Sequence, residues 1–309
     1  MRIAVFGTGA VGGYFGGRLA QAGEEVVFLA RGEHLRALQA NGLRVDSIKG
    51  DFLVQPVNAT DKPADVGAVD MILVAVKAWQ VPEVARAMRP MIGTHTGVVP
   101  LGNGVDAPGQ LAEELGAEHV LGGLCTISAL VAAPGHIRHV GIDPGVIFGE
   151  LDGHRSQRAE SLRGAFERAG VNVSLVDDIQ AAMWEKFIFI AAFSGVGAVT
   201  RVPAAGLRSI PETRAMLQGA LEEIASLGRA RQVNLPQDIV AQKLAFIDGL
   251  APAVTASMQR DIIDGRPSEL EAQSGAVVRM GKESGLPTPV HAFIYASLLP
   301  QELKARGKL

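Results

Sequence analysis

With 309 residues, 48% of them hydrophobic and 20% charged, the chain is long enough for two cores and has the balance of a globular protein. A net charge of −3 leaves no footprint for nucleic acid or an anionic membrane, so neither partner is expected and any phosphate-binding groups must be local. The single cysteine, Cys125, excludes an internal disulfide framework and fits a reducing, cytoplasmic setting.

Met1 leads directly into an apolar strand, with no basic stretch or cleavage site, so no targeting segment is expected. Strands are predicted at residues 3–6, 25–30, 71–76, 97–100 and 119–122. Helices are predicted between them at 11–22, 33–41, 79–90 and 106–115. Several of the strands are continuous apolar runs, as parallel strands covered on both faces require. The alternation predicts an α/β fold with an N-terminal Rossmann-type, doubly wound parallel sheet. Residues 123–150, with the turn Pro134-Gly135, read as antiparallel strands. A helix at 156–169 and a strand at 171–176 close a first domain placed at residues 1–176.

Residues 177–309 form a second, all-helical domain, with helices expected at 211–232, 236–264, 268–284 and 289–302. Gly285-Leu-Pro-Thr-Pro289 is a clear break, glycine past one helix end and proline opening the next. The most apolar stretch, 187–199, is shorter than the roughly 20 residues a membrane span needs, and is read as a buried helix.

Gly7-Thr8-Gly9-Ala10-Val11-Gly12 is a G-x-G-x-x-G sequence that follows the first strand and opens the first helix. In that context Gly7 permits the tight turn, Gly9 admits a pyrophosphate to the backbone, and Gly12 lets helix and strand pack closely. Free amides at the helix start would face the phosphates. The second strand ends in Arg31, with no acid until Glu33. An arginine there suits the 2′-phosphate of NADPH, whereas an acid would suit the ribose of NADH. NADPH is therefore the expected cofactor.

These residues, with Leu29-Ala-Arg-Gly-Glu-His34, Asn41-Gly-Leu43, Val76-Lys-Ala-Trp-Gln80, Asn103-Gly-Val105, Trp184-Glu-Lys-Phe187, Ser257-Met258 with Asp261, and Ser268-Glu-Leu270, resemble the ketopantoate reductase (2-dehydropantoate 2-reductase) family. The segments lie in order from residue 3 to about 270. The resemblance implies a Rossmann domain and a helical domain like the C-terminal domain of 6-phosphogluconate dehydrogenase, enclosing a cleft where NADPH reduces a 2-oxo acid. For the family that reaction is ketopantoate to pantoate, in pantothenate biosynthesis.

By position, the resemblance makes Lys186 the catalytic lysine at the substrate's 2-oxygen and Glu269 the acid that holds the substrate's hydroxyl. Asn103 corresponds to an asparagine near nicotinamide and substrate, Ser257 to a serine on the substrate carboxylate, and Lys77 to a lysine near the cofactor. The chemistry is sensible independently. Hydride addition builds charge on oxygen, which a cationic donor stabilises. Glu269 also has a structural reading, because Ser268 and Glu271 make an S-x-x-E capping box.

The pattern departs from the family at Ile190 and Ser194, where asparagines are usual four and eight residues after the lysine. Helical spacing keeps Lys186, Ile190 and Ser194 on one face, so the substrate-binding surface is expected to be less polar than the archetype. Three readings stay open: a ketopantoate reductase with altered contacts, a paralogue for a less polar 2-oxo acid, and a non-catalytic NADPH-binding sensor. The seven histidines have no metal-ligand spacing, so no metal is expected. The long helices of the second domain would supply a homodimer interface.

Overall fold

The computed structural model describes residues 1–309. It divides into two compact units, Met1–Gly102 with Asp106–Ile179, and Asn103–Val105 with Gln180–Leu309.

The first unit contains, in chain order, β1 (Arg2–Phe6), α1 (Ala10–Gln21), β2 (Glu25–Leu29), α2 (Gly32–Asn41), β3 (Leu43–Ser47), β4 (Phe52–Val54), β5 (Asn58–Thr60), β6 (Met71–Val74) and α3 (Val81–Ala87). Then come β7 (Gly97–Pro100), α4 (Ala107–Leu115), β8 (Leu121–Ala133), β9 (His136–Glu150), α5 (Gln157–Arg168) and β10 (Asn172–Leu175). Five strands make a parallel sheet in the order β5-β2-β1-β6-β7. Its central strand buries both faces. Ile3 and Val5 pack with Phe15 and Leu19 of α1 and Phe166 of α5, while Ala4 and Phe6 pack with Val84 of α3, Met88 just past it and Leu111 of α4. That two-residue alternation explains the unbroken apolar runs in the sequence. The chain leaves β1 toward β2 on one side and β6 on the other, so the carboxyl end of β1 is a topological switch point.

The rest of the unit is a second sheet, in the order β10-β9-β3-β4, with β8 antiparallel to β9. The turn falls at Pro134-Gly135, where Gly135 takes φ +73°. Of residues 119–122, expected as a parallel strand, His119 ends a 3-10 turn and Leu121 and Gly122 open β8, antiparallel to β9, while Val120 makes an isolated parallel bridge to Val98 of β7. β3, β4 and β5 are only three to five residues long, too short to carry a readable alternation.

The second unit is helical: α6 (Ile179–Thr200, from Gln180 onward), α7 (Ala204–Ser209), α8 (Pro211–Ala230), α9 (Ile239–Asp248), α10 (Ser257–Ile263), a π-helical turn (Glu271–Gly275), α11 (Ala276–Ser284) and α12 (Pro289–Ala305). α6 is long and apolar enough to cross a membrane by length and composition, but most of it is buried, and residues 191–198 are buried without interruption. A helix apolar all round is a core helix when its neighbours cover it, and here α8, α10 and α11 contribute to the same core. The single helix expected at 236–264 is two helices, because Gly249 and Pro252 interrupt it. The helix expected at 268–284 begins with the π turn, in which the Gly275 amide donates to the Leu270 carbonyl at 2.9 Å.

Candidate active site

In the first unit the glycine-rich loop joins β1 to α1. Gly7 takes φ +95°, a conformation costly for any other residue. The Gly7 and Thr8 amides donate to the Leu29 carbonyl at 3.3 and 3.2 Å, and Thr8 Oγ1 donates to it at 3.0 Å, which ties the loop to the end of β2. A Cβ on Gly12 would stand 2.2 Å from the Gly7 carbonyl oxygen, so the helix approaches the strand too closely for alanine. At Gly9 the opposite holds: no protein atom lies within 4 Å of where a Cβ would be. The first helical bond runs from the Gly13 amide to the Gly9 carbonyl at 2.7 Å, so the amides of Ala10, Val11 and Gly12 precede the helical ladder. A turn locked from behind, open at Gly9 and presenting amides fits a dinucleotide pyrophosphate.

Arg31 lies two residues past the end of β2, exposed, with Nη2 3.2 Å from Glu83 Oε1, itself exposed. Such a surface pair contributes little and yields readily to a phosphate. Lys77 follows β6, its backbone amide donating to Gln80 Oε1 at 3.2 Å and its ammonium 5.9 Å from the Trp79 ring centroid. The preceding Val76 lies against Gly7, where a Cβ would come within 2.7 Å of it. His34 is held by the Gly135 amide, which donates to Nδ1 at 3.1 Å, and burial pushes its pKa down.

In the second unit, Asn103 Nδ2 donates to Glu269 Oε2 at 3.1 Å. The short segment Asn103–Val105 belongs to this unit, and a Cβ on Gly104 would meet the Ala272 carbonyl at 3.3 Å. Lys186, half-buried on α6, is followed at successive turns by half-buried Ile190 and fully buried Ser194. Ser194 Oγ contacts the Ile190 carbonyl and meets Gln273 Oε1 at 2.8 Å. Gln273 stands one turn after Glu269, its amide bonded to the Glu269 carbonyl at 3.0 Å. The α6 face and the Glu269 segment are thereby joined. Ser257 opens α10, half-buried, and two residues on, Gln259 packs against Gly197 of α6.

The capping box expected of Ser268 and Glu271 does not form. Ser268 Oγ donates to Glu302 Oε2 at 2.5 Å, and the Ser268 amide meets both carboxylate oxygens at 3.1 and 3.0 Å. Arg306 closes the group, Nε to Glu302 Oε1 at 2.5 Å and Nη2 to the Ser268 carbonyl at 2.9 Å. Glu271 turns instead to Arg279 and to the Tyr295 hydroxyl, at 3.0 and 2.7 Å. Burial and the Glu271 carboxylate push the Tyr295 phenol up to about 12. The residue before Glu269 is thus anchored by the buried Glu302 of α12 and by Arg306 just past the helix end. Sequence reasoning missed Gln273, Glu302 and Arg306. Only the four-residue step from Glu269 to Gln273 was a signal in the chain itself.

The family model described as ketopantoate reductase PanE/ApbA matches residues 3–153, and its C-terminal companion matches residues 178–302. A 2-dehydropantoate 2-reductase of Mesorhizobium japonicum is 32% identical over 94% of both chains, and the uncharacterized oxidoreductase YkpB of Bacillus subtilis is 30% identical over 96% of this chain and 98% of its own. The crystal structure of a PanE/ApbA family ketopantoate reductase from Ralstonia eutropha superposes with a TM-score of 0.90 at 32% identity, over 99% of this chain and all of that one. A D-mandelate dehydrogenase, 23% identical, shares the fold at the same TM-score over 99% of each chain.

Proposed function

The chain belongs to the ketopantoate reductase family of oxidoreductases acting on small 2-oxo acids, and on that premise we propose that it reduces a 2-oxo acid to a 2-hydroxy acid with NADPH, ketopantoate being the leading substrate and pantoate, for pantothenate synthesis, its product. The observation that carries this reading is the Ser194–Gln273 bond, within one unit, which links the α6 helix that carries Lys186 to the segment that carries Glu269 and its partner Asn103. The two segments together would supply a cationic donor, Lys186, and an oriented carboxylate, Glu269, which a ketone bearing a hydroxyl requires.

Bound NADPH would supply the hydride. The amides of Ala10, Val11 and Gly12 beside the open face of Gly9 would hold the pyrophosphate, and Arg31, now paired with Glu83, would hold the 2′-phosphate. Lys77, beside the loop, contributes positive charge. Lys186 donates a hydrogen bond to the 2-oxygen as charge builds there, then its proton. Glu269, held by Asn103, accepts from the substrate's hydroxyl, and Ser257 meets the carboxylate. Neither Ile190 nor the occupied Ser194 replaces the amides usual in the family, which favours as second reading a paralogue that takes a 2-oxo acid with a more apolar body.

The test is NADPH oxidation by the purified protein over a panel of ketopantoate and branched and aromatic 2-oxo acids, with NADH as control. Turnover of ketopantoate with preference for NADPH is expected. Turnover confined to the less polar acids would transfer the assignment to the paralogue, and bound NADPH without turnover of any acid would defeat the enzymatic reading.

A further inference from the structure

We propose that Gln273 is a specificity-determining residue that binds a hydroxyl on the substrate's side chain; this rests on the 2-oxo acid reductase reading above. Gln273 is buried to 1% exposure, yet its side-chain amide is only half paired: Oε1 meets Ser194 Oγ at 2.8 Å, while Nε2 has no partner. A buried amide left half paired is costly unless a ligand completes it.

Its neighbours identify the ligand. On one side stands Glu269, one helical turn earlier on the same face. On the other stands Ser194, on the α6 face that carries Lys186 and Ile190. The Ser194 hydroxyl touches both the Ile190 carbonyl and Gln273, but it has one proton to give. Directed at Gln273, that proton leaves the NH2 end of the amide open. Directed at Ile190, it lets the amide turn over, so that Nε2 donates to Ser194 and the carbonyl end is open.

A hydroxyl satisfies either end, because it both donates and accepts. A second carboxylate satisfies only one end and would meet the charge of Glu269. With the NH2 end open, the substrate hydroxyl gives its proton to Glu269 and accepts from Gln273. The apolar side chain of Ile190 then faces the aliphatic part of the same molecule. The substrate class that fits is a 2-oxo acid with an aliphatic body and a terminal hydroxyl.

Ketopantoate and trimethylpyruvate differ by that hydroxyl alone, which trimethylpyruvate replaces with hydrogen. We would measure kcat/KM for both at saturating NADPH with the wild type, Gln273→Met and Ser194→Ala. Gln273→Met is expected to lower the ketopantoate value roughly tenfold to hundredfold and the trimethylpyruvate value by less than about threefold. Ser194→Ala, which frees the amide, is expected to move the ratio the same way by a smaller factor, and it decides the question if Gln273→Met does not fold. Equal losses on both acids would overturn the proposal and leave the reductase reading intact. A wild type that reduces no 2-oxo acid would overturn that reading, and this proposal with it.

Discussion

Asn103 and Glu269 stand 166 residues apart in the chain and 3.1 Å apart in the second unit, the amide of one donating to the carboxylate of the other. Asn103–Val105 belongs to the helical unit, although the residues on either side of it belong to the first. A carboxylate held this way keeps its remaining lone pairs directed, which is what recognition of a substrate hydroxyl requires. Asn103→Ala is expected to lower kcat/KM for a hydroxylated 2-oxo acid about tenfold or more while the dissociation constant of NADPH changes little. A variant that loses only NADPH affinity would assign Asn103 to the cofactor instead.

The two inner glycines of the loop should behave oppositely. Gly9→Ala places its methyl where no protein atom lies within 4 Å, so the fold should tolerate it while NADPH binding weakens. Gly12→Ala drives a methyl against the Gly7 carbonyl and the Val5 side chain, and should cost about 1–3 kcal/mol of stability. Thermal melts of each variant with and without NADPH separate the two effects. A Gly9→Ala protein that melts like the wild type and keeps full NADPH affinity would remove the pyrophosphate from this loop.

Glu302 holds Ser268, the residue before Glu269, and is expected to position Glu269 through it. Its carboxylate is buried and is satisfied by the Ser268 amide and hydroxyl and by Arg306. Glu302→Gln keeps the shape but weakens the anchor. The expected result is a raised KM for the oxo acid with little change in kcat or in NADPH binding, together with a destabilisation of about 1–3 kcal/mol. If kcat and both affinities are unmoved and only stability falls, Glu302 supports the fold without positioning Glu269.

His291 of α12 is fully buried, with Nε2 3.2 Å from the Ala220 carbonyl and Nδ1 3.4 Å from Ser274 Oγ. Burial lowers its pKa from 6.5 to about 4. Between those values the unfolded chain binds a proton that the folded chain does not. This contribution is therefore complete above pH 6.5 and is lost as pH falls toward 4, by on the order of 3 kcal/mol at the limit. Melting temperatures of wild type and His291→Met, followed from about pH 7 to about pH 4.5, should show a shallower decline in the variant. Parallel declines would mean that His291 titrates normally in the fold.

The sequence made the cofactor unit legible where periodicity and turn chemistry coincide. β1, β2, β6 and β7 alternate between two buried faces, and Gly7 to Gly12 follows the central strand directly. It misled where a strand joins a different sheet, as at residues 119–122, since an apolar run does not name its partner. It also misled where glycine and proline broke the expected helix at 236–264. Lys186, Ile190 and Ser194 were readable as one helix face, because that relation is local. The partners that shape the site are not local. Ser268 finds Glu302, Ser194 finds Gln273 and Asn103 finds Glu269 across 34, 79 and 166 residues, and no spacing rule reaches that far.

The most direct test of the account is the steady-state reduction of ketopantoate by NADPH with wild type and Lys186→Ala, alongside NADPH affinity measured separately on each. Efficient turnover by the wild type, a loss of about a hundredfold or more in kcat for the variant, and unchanged NADPH affinity are expected. A Lys186→Ala protein that retains wild-type kcat would contradict the assignment of Lys186 as the donor to the developing oxyanion, and with it the chemistry proposed for the helical unit.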